Sequence, residues 1–149
     1  MTVIAYRDGV IAADSRVTVE GKESGIRFFD SSVKLFRKDG CVIATAGASA
    51  PGIVFVRWYG TRPKKPPEAI TDAKVDWTCL VLDKTGLWEW DSSLEPEQVL
   101  EPFYAIGTGC KAALGAMYMH ATAVKAVQIA CLIDPNCGGK VQTMRLDNP

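Results

Sequence analysis

The sequence predicts an α+β fold in which antiparallel sheets carry helices on their outer faces, and a four-layer αββα sandwich is one solution to that pattern. Three observations predict it. Apolar, β-branched runs are joined in pairs by tight-turn signals at Arg7-Asp8-Gly9, Lys38-Asp39-Gly40 and Lys84-Thr85-Gly86. Helical periodicity is confined to two stretches, one in mid-chain and one late. No regular βαβ alternation links the two kinds of element, which argues against a parallel sheet.

Thr2–Tyr6 reads as a strand, and Val10–Ala13 as its partner, ending at Asp14. Residues 19–32 are polar with Gly21 and Gly25, so they read as a loop with at most one short strand at Ile26–Phe29. Val33–Arg37 and Cys41–Thr45 form the second hairpin. Ser49–Tyr59 predicts a helix with Ser49 as its cap, Pro51 in its first turn and Ile53, Val54, Val56 and Trp58 as its apolar face. Thr61–Pro67 is a Pro- and Lys-rich surface loop. Trp77–Leu82 and Leu87–Trp90 form a third hairpin, and Phe103–Ile106 a short strand. Lys111–Ile133 is helical, with Leu114, Met117, Tyr118, Val124, Val127, Ile129 and Leu132 as the periodic residues; Thr122 can cap a second piece, splitting it near His120. Gln142–Leu146 is a last strand.

The 149 residues suit one domain with a core of its own, with 48% hydrophobic and 23% charged residues. A formal net charge of zero argues against a general nucleic-acid binder. The one dense basic run, Arg62-Pro63-Lys64-Lys65, reads as a solvated loop. No signal-peptide pattern and no long apolar run suggests a membrane or export, so the expectation is a soluble, cytoplasmic protein. The five cysteines lack zinc spacing and read as reduced, mostly core thiols, so no metal or other cofactor is implied. Gly107-Thr108-Gly109 lacks the context of a dinucleotide site. His120, the single histidine, has no sequence partner and reads as a helix-junction residue.

One arrangement carries chemistry. Thr2 follows the first methionine and leads a buried strand. Methionine removal would expose a hydroxyl beside a free α-amino group, whose pKa of about 8 suits a general base. Further pieces follow in order: the GVIAADSRVT run from Gly9 to Thr18, VKLF from Val33 to Phe36, VIATAG from Val42 to Gly47, AIGTG from Ala105 to Gly109, and Asp134 with Cys137 before Gly138-Gly139.

In these pieces and their spacing the chain resembles the proteasome β-subunit family, including the protease subunit of the bacterial two-component ATP-dependent protease. The resemblance spans nearly the whole chain and implies an N-terminal-nucleophile hydrolase sandwich, here with a shortened helical layer because the stretch from Gly52 to Asp76 is short and broken by prolines. It implies Thr2 as nucleophile, Lys34 as the cation that activates it, and Asp14 as the acid that holds Lys34. It implies an oxyanion hole at the end of the Cys41–Thr45 strand, at Thr45 or Gly47. Thr108, Asp134 and Cys137 would form a network around the α-amino group. Read without the resemblance, Asp14 could cap a turn, Lys34 could reach solvent from an edge strand, and Thr108 could cap a helix. The implied function is a threonine peptidase in a homo-oligomeric ring, acting on peptides or unfolded protein with an ATPase unfoldase as partner. A non-catalytic ring subunit and a small-molecule amide hydrolase are the alternatives.

Overall fold

The computed structural model describes residues 2–61 and 65–146. Met1 and the Arg62-Pro63-Lys64 part of the basic run lie outside the described residues. The first hairpin joins β1 (Ile4–Arg7) to β2 (Val10–Ala13). Its turn residues Asp8 and Gly9 both have positive φ, 52° and 78°, the pairing of left-handed conformations that matches the natural twist of two antiparallel strands. β10 (Phe103–Ile106) pairs with the free edge of β1, and β11 (Gln142–Arg145) with that of β2, giving an antiparallel sheet in the order β10-β1-β2-β11. A second antiparallel sheet runs in chain order through β5 (Leu35–Lys38), β6 (Cys41–Gly47), β7 (Trp77–Asp83), β8 (Gly86–Trp90) and β9 (Glu97–Val99).

Side-chain alternation along these strands builds the layers. Ile4, Ile11 and Ala13 of the first sheet meet Leu35, Val42, Ala44, Leu80 and Leu87 of the second in a shared core. The opposite face of the first sheet, with Val3, Ala5 and Ala12, packs on α3 (Cys110–Tyr118) and α4 (Ala123–Ile133). The opposite face of the second, with Ile43, Cys79, Val81 and Trp90, packs on α1 (Ser49–Thr61). Four layers result, helix, sheet, sheet, helix, as the hairpin pattern predicts.

The α1 layer is the thin one. Its second member, α2 (Glu68–Thr71), is a single turn that buries Ile70. Aromatic bulk covers the sheet there instead. Phe55 lies with its ring centroid 5.2 Å from Trp77, 5.4 Å from Trp90 and 5.7 Å from Tyr59. Tilted rings at these separations add dispersion and quadrupole attraction to the burial of large apolar area.

Several sequence expectations are corrected. The buried side of α1 is Pro51, Gly52, Phe55 and Tyr59, at the three- and four-residue steps of a helix, with Val54, Val56 and Trp58 partly buried beside it, while Ile53 is exposed. Ser49 is the first residue of α1, not its cap. In α3 and α4 the buried seam is mainly alanine (Ala113, Ala123, Ala126, Ala130) with Met117 and Val127; Tyr118 and Leu132 are 74% and 86% exposed. Of the expected periodic residues, Met117 and Val127 are buried and Leu114 and Val124 pack against the same core, while alanines fill the rest of the seam because small residues let helix and sheet approach closely. The short strand expected at Ile26–Phe29 is present as β4 (Gly25–Phe29), but it pairs with β3 (Val17–Gly21) in a hairpin, so residues 19–21 are strand and not loop; β9 is a strand that the sequence did not mark. The split of the late helix holds. Thr122 caps α4 by accepting from Lys125 N at 3.1 Å, and His120 sits at the junction with φ 70°. Among the described residues no helix is long and apolar enough to cross a membrane.

Candidate active site

β2 ends at Ala13, and the next residue, Asp14, is 0% exposed. A buried carboxylate is tolerable only when its charge is met by donors. Three backbone amides supply them, Val3 N to Oδ1 at 3.1 Å, Gly138 N to Oδ2 at 3.0 Å and Arg16 N to Oδ2 at 3.3 Å. The fourth donor is Lys34 Nζ, 2.7 Å from Oδ1.

Lys34 stands just before β5, and Thr45 N donates to its carbonyl at 3.0 Å, carrying the β5–β6 ladder one residue further. Its side chain is buried rather than turned to solvent. Besides Asp14, Nζ donates to Arg16 O at 2.7 Å and to Thr2 Oγ1 at 3.0 Å. Thr2, Asp14 and Lys34, from three segments, therefore converge on one ammonium.

Thr2 is 4% exposed and is pinned by its own carbonyl, which accepts from Gly109 N at 3.2 Å and Thr108 Oγ1 at 3.5 Å. The loop before α3 passes so close that a Cβ on Gly107, at φ 93°, would lie 2.1 Å from Thr2 O. Only glycine meets both the left-handed backbone and the contact.

Thr108, Asp134 and Cys137 form an adjoining group. Cys137 Sγ lies 4.0 Å from Thr108 Oγ1 and donates to Asp134 Oδ2 at 3.5 Å, while Asn136 N donates to Asp134 Oδ1 at 2.9 Å. Gly109, not Thr108, is the N-cap residue of α3. The Thr108 hydroxyl is turned to the carbonyl of Thr2. Burial pushes the Asp134 carboxyl up, but the combined hydrogen bonds from Asn136, Thr108 and Cys137 outweigh it and hold it below its usual range. Burial, followed by the nearby Asp14 and Asp134 charges, pushes the Cys137 thiol up to about 12. The thiolate is the reactive form. Cys137 is thus expected to resist iodoacetamide in the folded protein at pH 8 and to react only in denaturant. Peptide mapping after alkylation checks this, and rapid modification of the native protein would contradict it.

Two cavities of about 470 and 530 Å³ flank Thr2, and Thr2, Gly47 and Ala48 line both. The structure separates the two oxyanion candidates. The N–H of Thr45 is spent on Lys34 O. Along a strand, alternate amides point to the same side. The N–H of Gly47 is therefore aimed the way Thr45's is, but beyond the end of β5, where the cavities open. Ala48 N, on the other side, bonds Asp76 O at 3.0 Å. The Thr45 side chain packs toward α1, its Cβ 2.9 Å from where a Cβ on Gly52 would lie.

Sequence reasoning gave no role to two residues that organise this site. Arg16 holds Asp30 through Nε and Nη2 at 2.7 and 2.9 Å and Pro135 O through Nη1 at 2.9 Å, tying β4's end to the Asp134–Cys137 loop. Its place in the DSR run was the available signal. Gln142 ties together the segments carrying Asp14 and Lys34. A polar residue opening an otherwise β-prone last strand was its only trace. Among the described residues no cluster of His, Cys, Asp and Glu could hold a metal ion.

No protein-family model and no curated protein matches the chain. Solved structures do. BPH of Thiobacillus denitrificans aligns over 99% of both chains at 20% identity with a TM-score of 0.67, and its complex with epoxomicin over 99% of both at 19% and 0.66. Eukaryotic HslV from Trypanosoma brucei aligns over 97% of this chain and 98% of its own at 21% identity and 0.66. The chain has the HslV fold. The expectation of an N-terminal-nucleophile hydrolase architecture is met at the level of fold by these neighbours.

Proposed function

We propose that the protein is a threonine-type endopeptidase whose nucleophile is Thr2, freed by removal of Met1. The observation that carries this reading is Lys34 Nζ, buried and shared between Thr2 Oγ1 at 3.0 Å and Asp14 Oδ1 at 2.7 Å. A cation there favours the deprotonated forms of both the hydroxyl and the neighbouring amine. The α-amino group takes the Oγ1 proton as Oγ1 attacks a peptide carbonyl. The Gly47 N–H, aimed at the space between the cavities, would meet the oxyanion. The C–N bond then breaks, the proton passes to the leaving amine, and an ester to Thr2 remains for water to hydrolyse. Thr108, Asp134 and Cys137 would hold the loop against Thr2 during both steps.

The smaller cavity, walled by Val17, Val33, Ala50 and Ile53 with the hydroxyls of Thr18 and Ser49, suits a neutral side chain on the acyl side. Peptides and unfolded chains are the substrates this implies. We place the enzyme in the cytoplasm, in a homo-oligomeric ring that keeps folded proteins from the nucleophile and receives substrate from an ATPase unfoldase.

The test is the intact mass of the protein after exposure to a β-lactone. Loss of one methionine plus one adduct is expected, with the adduct absent in Thr2→Ala. Retained Met1, or a free Thr2 that stays unlabelled, would replace the peptidase reading with that of a non-catalytic ring subunit. Labelling of a monomer that cleaves small amides but not peptides would point to a small-molecule hydrolase.

A further inference from the structure

Gln142 stands at the start of β11, opposite Ala13 of β2 in the register of the first sheet. Its half-buried amide spans the gap to the second sheet. Oε1 accepts from the backbone N–H of Lys34 at 3.0 Å. Nε2 donates to Asp14 O at 3.0 Å and to Ser32 O at 2.7 Å, with Ser15 Oγ a further acceptor at 3.3 Å. The two ends of an amide are chemically distinct, and only this orientation matches an N–H on one end and carbonyls on the other. One side chain therefore bonds the backbone of Lys34, whose Nζ meets Thr2 Oγ1, and that of Asp14, whose carboxylate holds the same Nζ.

We infer that Gln142 is a positioning residue for the Thr2 nucleophile: it sets the distance between the Asp14 and Lys34 segments and so the placement of the ammonium against Thr2 Oγ1. The inference rests on the reading of Thr2 as nucleophile for its catalytic consequence, but not for its geometry. Asp14 follows β2 in the first sheet, and Lys34 precedes β5 in the second. Near the site the chain runs from one to the other through a hairpin, β3–β4, whose strands pair only with each other. That hairpin does not set their separation through a ladder. The Gln142 amide does so directly, with a hydrogen bond to each. Ser32, which precedes Lys34 by two residues, is clamped twice, by its own N–H to Ser15 O at 2.9 Å and by its carbonyl to Gln142.

A small misplacement matters here, since about 1 Å in a catalytic group can cost on the order of 100-fold in rate. Gln142→Met keeps length and bulk but removes all of these hydrogen bonds. Gln142→Glu keeps the acceptor for Lys34 N–H but turns a carboxylate on two carbonyls. For both, kcat on a peptide substrate and the rate of β-lactone acylation are expected to fall roughly 10- to 100-fold, with KM within about two-fold. The acid limb of the acylation pH profile is expected to move to higher pH. An ammonium drawn away from Thr2 lowers the pKa of its amine less, so the amine needs a higher pH to become a base.

The readout independent of chemistry is the 1H–15N signal of the Lys34 ammonium, whose buried hydrogen bonds slow its exchange. It is expected in the parent protein and shifted or broadened by exchange in Gln142→Met, with the fold intact by circular dichroism. Acylation rate, pH limb and ammonium signal all unchanged in a folded Gln142→Met would overturn the inference. A rate loss with an unmoved limb and signal would also overturn it, marking Gln142 as sheet support only. If the parent protein is not acylated at any pH, the peptidase reading fails by itself, and the ammonium signal alone decides the positioning role. If Gln142→Met does not fold, Gln142→Glu carries the same three readouts with the same consequences.

Discussion

Asp14→Ala is expected to cost about 3–5 kcal/mol of stability, whereas Lys34→Met is expected to cost about 1–3 kcal/mol, although both should end acylation of Thr2. The asymmetry follows from who is left behind. Without Asp14, a buried ammonium loses the carboxylate at 2.7 Å that balances its charge, while Thr2 Oγ1 and Arg16 O are neutral acceptors, and the amides of Val3, Arg16 and Gly138 lose their acceptor. Without Lys34, the Asp14 carboxylate still accepts from three backbone amides, a cradle that can hold an anion unaided. Urea denaturation of the two variants measures the difference, and the β-lactone adduct measures the chemistry. Equal stability losses would mean that the amide cradle does not carry the charge. A labelling rate within ten-fold of the parent in Lys34→Met would remove Lys34 from the mechanism.

The same contrast shows what the sequence could reveal. Asp14 and Lys34 were singled out by the family resemblance; each also interrupts an apolar context, but the residues alone left Asp14 open to capping a turn and Lys34 to reaching solvent, and only their burial against each other decides it. The Asp-Gly turns were legible because few residue pairs accept two positive φ angles in succession, and Asp8-Gly9 and Asp39-Gly40 both adopt them. The helix split at His120 followed from Thr122, a side chain able to accept from the third residue on. What stayed hidden depends on tertiary closeness. Gln142 owes its importance to segments more than a hundred residues away in sequence, and locally it is marked only as a polar residue opening a β-prone strand. The alanine seam of α3 and α4 hid behind larger residues that the structure leaves exposed, because hydrophobic size measures what burial would gain and not how near two backbones must come. Of the β3–β4 hairpin only the Ile26–Phe29 strand was legible; its partner β3 was obscured by the glycine-bearing, polar composition of the stretch that follows Val19.

The thin helical layer joins these levels. Its shortness was visible in the prolines and the few residues between Gly52 and Asp76. The means of covering the second sheet was not. Phe55, Tyr59, Trp77 and Trp90 occupy that face as a continuous aromatic cluster. The cluster packs against β6 and β7, and β6 ends at Gly47 beside the cavities, so aromatic side chains cover the sheet face that backs the site.

Gly47→Ala is the second change expected to have a large effect, a loss of about 100- to 1,000-fold in the acylation rate, the size associated with losing one oxyanion donor. At φ 87° the residue lies in the left-handed region, and an added Cβ would sit 2.6 Å from Asp76 O and 2.9 Å from Trp77 Cα. Both are backbone atoms of the adjoining strand and its approach, which cannot swing aside as a side chain would. The Gly47 peptide must therefore rotate or retreat, and its N–H leaves the direction that alternation gives it. Thr45→Ala is the control. Its N–H is already committed to Lys34 O, and its side chain faces Gly52 across the cavity wall. Removing that side chain is expected to alter substrate preference and keep acylation by a small β-lactone within about ten-fold. Rates for both variants, taken with thermal melts to show that each is folded, test the Gly47 position against a side-chain control. A folded Gly47→Ala that acylates at the parent rate would remove the Gly47 N–H from the oxyanion role.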